Sequence, residues 1–146
     1  MERADGFKSI LLRGVVEANE ETTAKELAIL MADHNIGAIA ITTDEKLVGI
    51  VSERDIVLRI VAKGLDPDKV CAKEFMTKDV KTAEFKDGLD KIYKMLCMSK
   101  FRHIPILNDG KLVGIASQRD ALFGVMARQQ SKESIKDCDV LIDKME

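Results

Sequence analysis

Apolar and polar positions alternate with two different periods along this chain, and the same succession occurs twice. From Thr22 to His34 the apolar residues Ala24, Leu27, Ala28, Leu30 and Met31 fall close to one face of a helix. A short β-branched run, Ile39-Ala-Ile41, follows, then the turn residues Asp44-Glu-Lys46 and a second extended arm from Leu47 to Val51. A second helix starts at Ser52 and carries Ile56, Val57, Ile60 and Val61; Gly64 ends it, with Pro67 beyond. The later half repeats this order. Leu89, Ile92, Tyr93, Leu96 and Cys97 mark a helix over Asp87 to Ser99, and Ile104-Pro-Ile-Leu107 is a strand. Asp109-Gly110 is a hairpin turn and Leu112 to Ala116 its second arm. A helix from Ser117 with Leu122, Val125 and Met126 closes the half. Each half reads α-β-β-α, preceded by a short extended piece at Val15-Val16 or at Val80-Lys-Thr82.

The two halves are copies. Eleven of the twenty-three residues from Ile36 to Leu58 recur sixty-five positions later, between Phe101 and Phe123. Average composition gives roughly one or two coincidences in such a window. The strongest match sets Lys46-Leu-Val-Gly-Ile50 and Ser52-Glu-Arg-Asp55 against Lys111-Leu-Val-Gly-Ile115 and Ser117-Gln-Arg-Asp120. A site in one half therefore has a counterpart in the other. The predicted fold class is α/β, two pseudo-symmetric α-β-β-α units packed into one module. The predicted organisation is residues 8–65 as the first motif, 66–78 as a linker with a turn around Val70 to Phe75, 79–130 as the second motif, and 131–146 as a tail. Ile135, Leu141, Ile142 and Met145 give that tail one apolar face and predict a terminal helix.

Composition narrows the function by exclusion. With 46% hydrophobic and 33% charged residues, the 146-residue chain has the balance of a folded domain, and halves this short need each other's apolar surface. A net charge of -2 and 4% aromatic residues argue against a nucleic-acid partner. No stretch has the roughly 18 to 20 apolar residues of a membrane span. The start Met1-Glu-Arg-Ala-Asp-Gly lacks the pattern of a signal peptide. Cys71, Cys97 and Cys138 are odd in number and share no C-x-x-C spacing, which predicts idle thiols in a reducing cytosol. His34 and His103 have no metal-ligand spacing, so no metal site is expected.

The repeated segments resemble a pair of cystathionine-β-synthase (CBS) motifs, the tandem unit also called a Bateman module. Ile36-Gly-Ala-Ile-Ala-Ile41 with Leu47-Val-Gly-Ile-Val-Ser-Glu-Arg-Asp55 carries the first copy of the resemblance. Phe101-Arg-His-Ile-Pro-Ile106 with Leu112-Val-Gly-Ile-Ala-Ser-Gln-Arg-Asp120 carries the second, and Met76-Thr-Lys-Asp-Val80 resembles the opening of a second motif. The arrangement is most similar to stand-alone bacterial or archaeal CBS pairs. The resemblance implies a non-catalytic regulatory unit without a catalytic cofactor. It implies adenosine nucleotides (AMP, ADP or ATP, with NAD or S-adenosylmethionine in some members) bound in clefts between the two motifs. It also implies a homodimer and a regulated protein whose identity the sequence does not give.

Candidate ligand residues follow from chemistry and from the resemblance together. A carboxylate offers two oxygens to the adjacent hydroxyls of a ribose, which makes Asp55 and Asp120 the ribose candidates. Ser52 and Ser117 add a hydroxyl at each helix start, where phosphate oxygens are favoured. The same Ser-x-x-acid spacing is also close to a capping box, which serves a helix without any ligand. Arg54 and Arg119 are candidate phosphate donors or solvated helix residues. Arg102 and His103 match family positions that touch base and phosphate; Gly37 and Ala38 replace them in the first half, and Ala40 replaces Pro105. The second site is thus better equipped for phosphate. Val80, Ile104 and Pro105 are expected to frame one adenine slot, and Val15, Val16 and Ala38 the other, although aliphatic strand residues serve equally as core.

Two other classes remain. For an enzyme the sequence offers no motif, since the chain has no G-x-S-x-G, P-loop, G-x-G-x-x-G or metal-ligand cluster, although a constellation formed only in space leaves no such signature. An interaction module with empty clefts would work through association instead. In either binding case the apolar helix faces Leu27–Met31 and Leu89–Cys97 are expected to lie exposed and to be covered by a second copy.

Overall fold

The computed structural model describes residues 10, 11 and 14–130. Cys138 and the expected tail helix of 131–146 lie outside the described residues. The described chain forms two compact units, one built mainly of Val15–Val80, the other mainly of 81–130 with Ile10 and Leu11. Each contains one three-stranded sheet, in a mixed α/β architecture.

In the first unit β1 (Glu17–Ala18) lies parallel to β2 (Ala38–Thr43), which pairs antiparallel with β3 (Lys46–Ser52). Helix α1 (Ala24–His34) begins on a reciprocal cap: Thr23 Oγ1 accepts from the Glu26 N–H, and Glu26 Oε2 accepts from the Thr23 N–H. Asn35, in the left-handed region, ends it. The buried face of α1, Ala24, Leu27 and Met31, packs with Ile39, Ile41, Val51 and Ile60. Helix α2 (Glu53–Ile56) runs on into a π-helical turn, Val57–Val61. The short helix α3 (Ala72–Phe75) follows, and Phe75 and Met76 join the same core. Thr77 then pairs with Ile50 through two backbone hydrogen bonds of 3.0 Å.

The second unit repeats the plan. Its strands are β4 (Ala83–Glu84), β5 (His103–Asn108) and β6 (Lys111–Ser117), and its helices α4 (Gly88–Met98) and α5 (Gln118–Gln130). Ile92, Tyr93 and Leu96 of α4 pack with Ile104, Ile106 and Ala116, and Ile10 completes the cluster.

The repeated glycine of β3 and β6 has one physical reason in both copies. A Cβ on Gly49 would lie 2.8 Å from Met76 Cγ and 3.1 Å from the Thr77 carbonyl oxygen; on Gly114 it would lie 3.1 Å from Ile10 Cγ2. Another stretch of chain crosses the strand there and needs the room. Each stretch precedes a motif, since Ile10 and Phe75 are sixty-five positions apart.

Three expectations need correction. The extended pieces pair later than expected: Glu17–Ala18 and Ala83–Glu84 enter the ladders, and Val15-Val16 and Val80-Lys-Thr82 precede them. The faces Leu27–Met31 and Leu89–Cys97 are not open for association, because Leu27, Met31, Ile92, Tyr93 and Leu96 are buried against their own sheets. The second helix of the first half is not regular, since the Ala62 N–H reaches back five residues to the Val57 carbonyl.

Candidate functional site

Each sheet delivers its candidate residues to the point where a strand turns into a helix. In the first unit Ser52 is at once the last residue of β3, the register partner of Ala38 and the N-cap of α2. The next residue, Glu53, donates its N–H to the Gly37 carbonyl at 2.9 Å. In the second unit the Gln118 N–H donates to the Arg102 carbonyl at 3.0 Å. One hydrogen bond per copy therefore fixes the helix start against the residue before the middle strand. This gathers Gly37, Ala38, Ser52, Arg54 and Asp55 in one unit, and Arg102, His103, Ser117, Arg119 and Asp120 in the other.

Both acids are committed to their helix starts through a single oxygen. Asp55 Oδ2 accepts from the Ser52 N–H at 2.9 Å and the Ser52 hydroxyl at 3.0 Å, while Ser52 Oγ accepts from the Asp55 N–H. Asp120 Oδ2 does the same with Ser117 at 2.7 and 2.9 Å. The capping box is complete in each copy without any ligand. Both acids are half-buried, whereas Arg54, Arg102 and Arg119 are exposed.

The residues expected to wall the adenine are buried to different degrees. Ile104 and Pro105 are fully buried, and Ala38 is 5% exposed. Val16 packs on the first core, and Val15 and Val80 are half-buried just ahead of β1 and β4. Ala38, Ile104 and Pro105 are core side chains, whereas the serine, arginine and aspartate candidates of each unit are half-buried or exposed at the helix start.

One residue was missed. Arg59, one turn beyond Asp55, places Nε 3.6 Å from Asp55 Oδ1 and donates from Nη1 to the Phe75 carbonyl at 2.5 Å. The sequence did hold a signal: Asp55 and Arg59 have helical i, i+4 spacing, and the matching position in the second copy is Gly124. Its significance depends on Phe75, sixteen residues away. Arg59 also walls an open hollow of about 440 Å³ with Lys63, Leu65, Val70, Glu74, Phe75 and Met76. Among the described residues no group of His, Cys, Asp or Glu is arranged to hold a metal ion, and no helix is long and apolar enough to cross a membrane.

These two strand-to-helix sites on duplicated three-stranded α/β units define the class. The CBS domain family model matches twice, over residues 7–62 and 72–126. The chain belongs to the CBS-domain family. Its relatives include the protein MK0525 of Methanopyrus kandleri, 35% identical over 122 residues, which cover 82% of this chain and 62% of that protein. The chain thus spans less than two thirds of that relative's length. A 17.7 kDa protein of Acidianus ambivalens is 37% identical over 138 residues, covering 87% of this chain and 79% of its own. Among solved structures, the CBS domain protein PAE2072 of Pyrobaculum aerophilum, complexed with AMP, is 28% identical. It superposes with a TM-score of 0.68 over 78% of this chain and 92% of its own. Proteins of the family are commonly regulatory.

Proposed function

We propose that this protein is a non-catalytic regulatory module that binds an adenosine nucleotide at its Ser-x-Arg-Asp helix starts and passes the ligand state to a partner. The observation that carries the reading is the duplicated helix start itself. A serine hydroxyl and a carboxylate are hydrogen-bonded to each other there, beside an exposed arginine on the same helical turn, and a backbone hydrogen bond ties that turn to the residue before the middle strand. AMP in the Pyrobaculum relative supports an adenine nucleotide as the ligand class. Ser117, Arg119 and Asp120, flanked by Arg102 and His103, form the better-equipped site, because the first copy has Gly37 and Ala38 in place of the last pair. The ribose hydroxyls are assigned to Asp120 and the phosphate to the arginines, which donate through a planar, permanently charged fork.

A thermal melt tests this. AMP should raise the melting temperature more than GMP at equal concentration, and ligand at a hundred times Kd should add about 2.7 kcal/mol. Asp120→Ala should weaken AMP binding about ten- to a hundredfold, the loss of a charge-assisted hydrogen bond. No response to any adenine compound at millimolar concentration would refute the reading.

A second reading rests on the capping boxes, which are complete in the absence of ligand. In it the helix starts stay empty and the protein acts by association alone. Apolar residues left exposed on the second helix of each unit (Val57 and Val61 in one, Leu122 and Met126 in the other) suit a homodimer under either reading.

A further inference from the structure

We infer that Arg59 is a lock on the first-half site: it holds Asp55 in an internal ion pair that a ribose has to displace. The inference rests on the nucleotide reading above and adds to it a residue that controls access to the acid of the first copy.

The geometry is local to one unit. Asp55 has two carboxylate oxygens, and each already has an assignment. Oδ2 takes the two donors of Ser52. Oδ1 faces the Arg59 guanidinium at 3.6 Å. A diol that sought both oxygens would meet a cation on one and a helix cap on the other. Arg59 does not simply wave in solvent, because its Nη1 is fastened to the Phe75 carbonyl. A side chain held at both ends loses little further entropy by staying. The backbone contributes as well: Arg59 is the central residue of the π-helical turn Val57–Val61, a local widening that recurs at functional positions.

The second copy has no arginine at this position. The residue in register with Arg59 is Gly124, and the space its side chain would need is taken by the Tyr93 ring, with Cζ 2.6 Å from where a Cβ would lie. In register with Tyr93 the first copy has Ala28. Two coupled exchanges, Ala28 with Arg59 against Tyr93 with Gly124, thus separate the copies at the turn after the acid. The hollow beside Arg59, whose wall includes Glu74, gives the guanidinium room to leave Asp55 without unfolding the turn. This makes the pair a lock rather than a permanent block. An ion pair whose arginine is 41% exposed is weak, so its release corresponds to about two- to fivefold in affinity.

The test is AMP calorimetry on the full chain carrying Asp120→Ala, so that the first-half site dominates the signal. Adding Arg59→Ala should tighten AMP binding about two- to fivefold, and Asp55→Asn placed on top should abolish the gain. Arg59→Met, which keeps the apolar stem, serves if the alanine variant melts early. Unchanged or weaker binding on loss of Arg59 would overturn the lock, as would a gain that survives Asp55→Asn. Failure of the unmutated protein to bind any adenine nucleotide would instead bring down the nucleotide reading, and the lock with it.

Discussion

Asp55 and Asp120 carry two roles on one side chain, and the roles separate by measurement. As caps, each supplies one oxygen to two donors of the preceding serine. Losing the N3 acid removes the reciprocal half of the capping box while the serine N-cap stays, a loss of about 1 kcal/mol. Asp55→Ala and Asp120→Ala should therefore both lower stability by that amount in urea denaturation, whatever their effects on nucleotide. Equal stability losses with unequal AMP affinities would separate folding from binding. Cys97 gives a pH-dependent check on the second core. Burial pushes its thiol above the ordinary value of 9.0, because the thiolate loses water there. A folded pKa raised above the unfolded one contributes stability that is fully present below 9.0 and is lost as pH rises through the folded pKa. Iodoacetamide should thus modify Cys97 more slowly in the native protein than in urea at pH values near 9.0, read by peptide mass spectrometry. Equal rates would show that the thiol is not sheltered.

Among the elements, the hairpins show what a repeat conceals. Both loops have two residues in the left-handed region: Asp44 at φ 50° and Glu45 at φ 63°, Asp109 at φ 51° and Gly110 at φ 80°. This is the geometry that matches strand twist and favours Asp-Gly. Glu45 bears a Cβ cost of roughly 1–2 kcal/mol that Gly110 avoids, set against roughly 0.5–1 for the greater freedom of unfolded glycine. Glu45→Gly should therefore stabilise the protein slightly, by up to about 1 kcal/mol, and Gly110→Ala should destabilise it; chemical denaturation of both would test the sign. The helices and central strands were legible in sequence because their apolar residues repeat with a period, as Leu27 and Met31 do. The edge strands Glu17–Ala18 and Ala83–Glu84 were not, since two residues have no period and their place is set by parallel register with Ala40 and Ile106. The Ser-x-Arg-Asp sites were legible because they occur twice. Arg59 was not, because a carbonyl from another helix gives it its meaning. A further consequence sits on α5: Gly124→Ala should gain helix propensity yet destabilise, by about 1–3 kcal/mol, since the buried Tyr93 ring occupies the new methyl's place.

For the whole molecule, the decisive quantity is the apolar surface that each unit leaves uncovered at equivalent positions. Val57 and Leu122 are 56% and 50% exposed, and Val61 and Met126, four residues on in each copy, are 67% and 50%. The apolar faces of α1 and α4 are core, so a dimer, as proposed above, would have to use the exposed apolar residues of the second helices. Duplication matters here, because these two pairs stand in register, Val57 with Leu122 and Val61 with Met126, so each unit carries its own apolar patch on its second helix. Fully burying an aliphatic side chain is worth about 1.5–3 kcal/mol, so covering these positions supplies several times the thermal energy per chain. Light scattering should accordingly give twice the chain mass of 16.2 kDa across a wide range of concentration. Val61→Glu and Met126→Glu place a charge on that surface without touching either core, and each should shift the mass towards 16.2 kDa while leaving the circular dichroism unchanged. The melting temperature of the parent protein should rise with protein concentration and that of the glutamate variants should not, because association stabilises only by mass action. A parent protein that scatters as 16.2 kDa at every concentration would assign these residues to some other partner or to none.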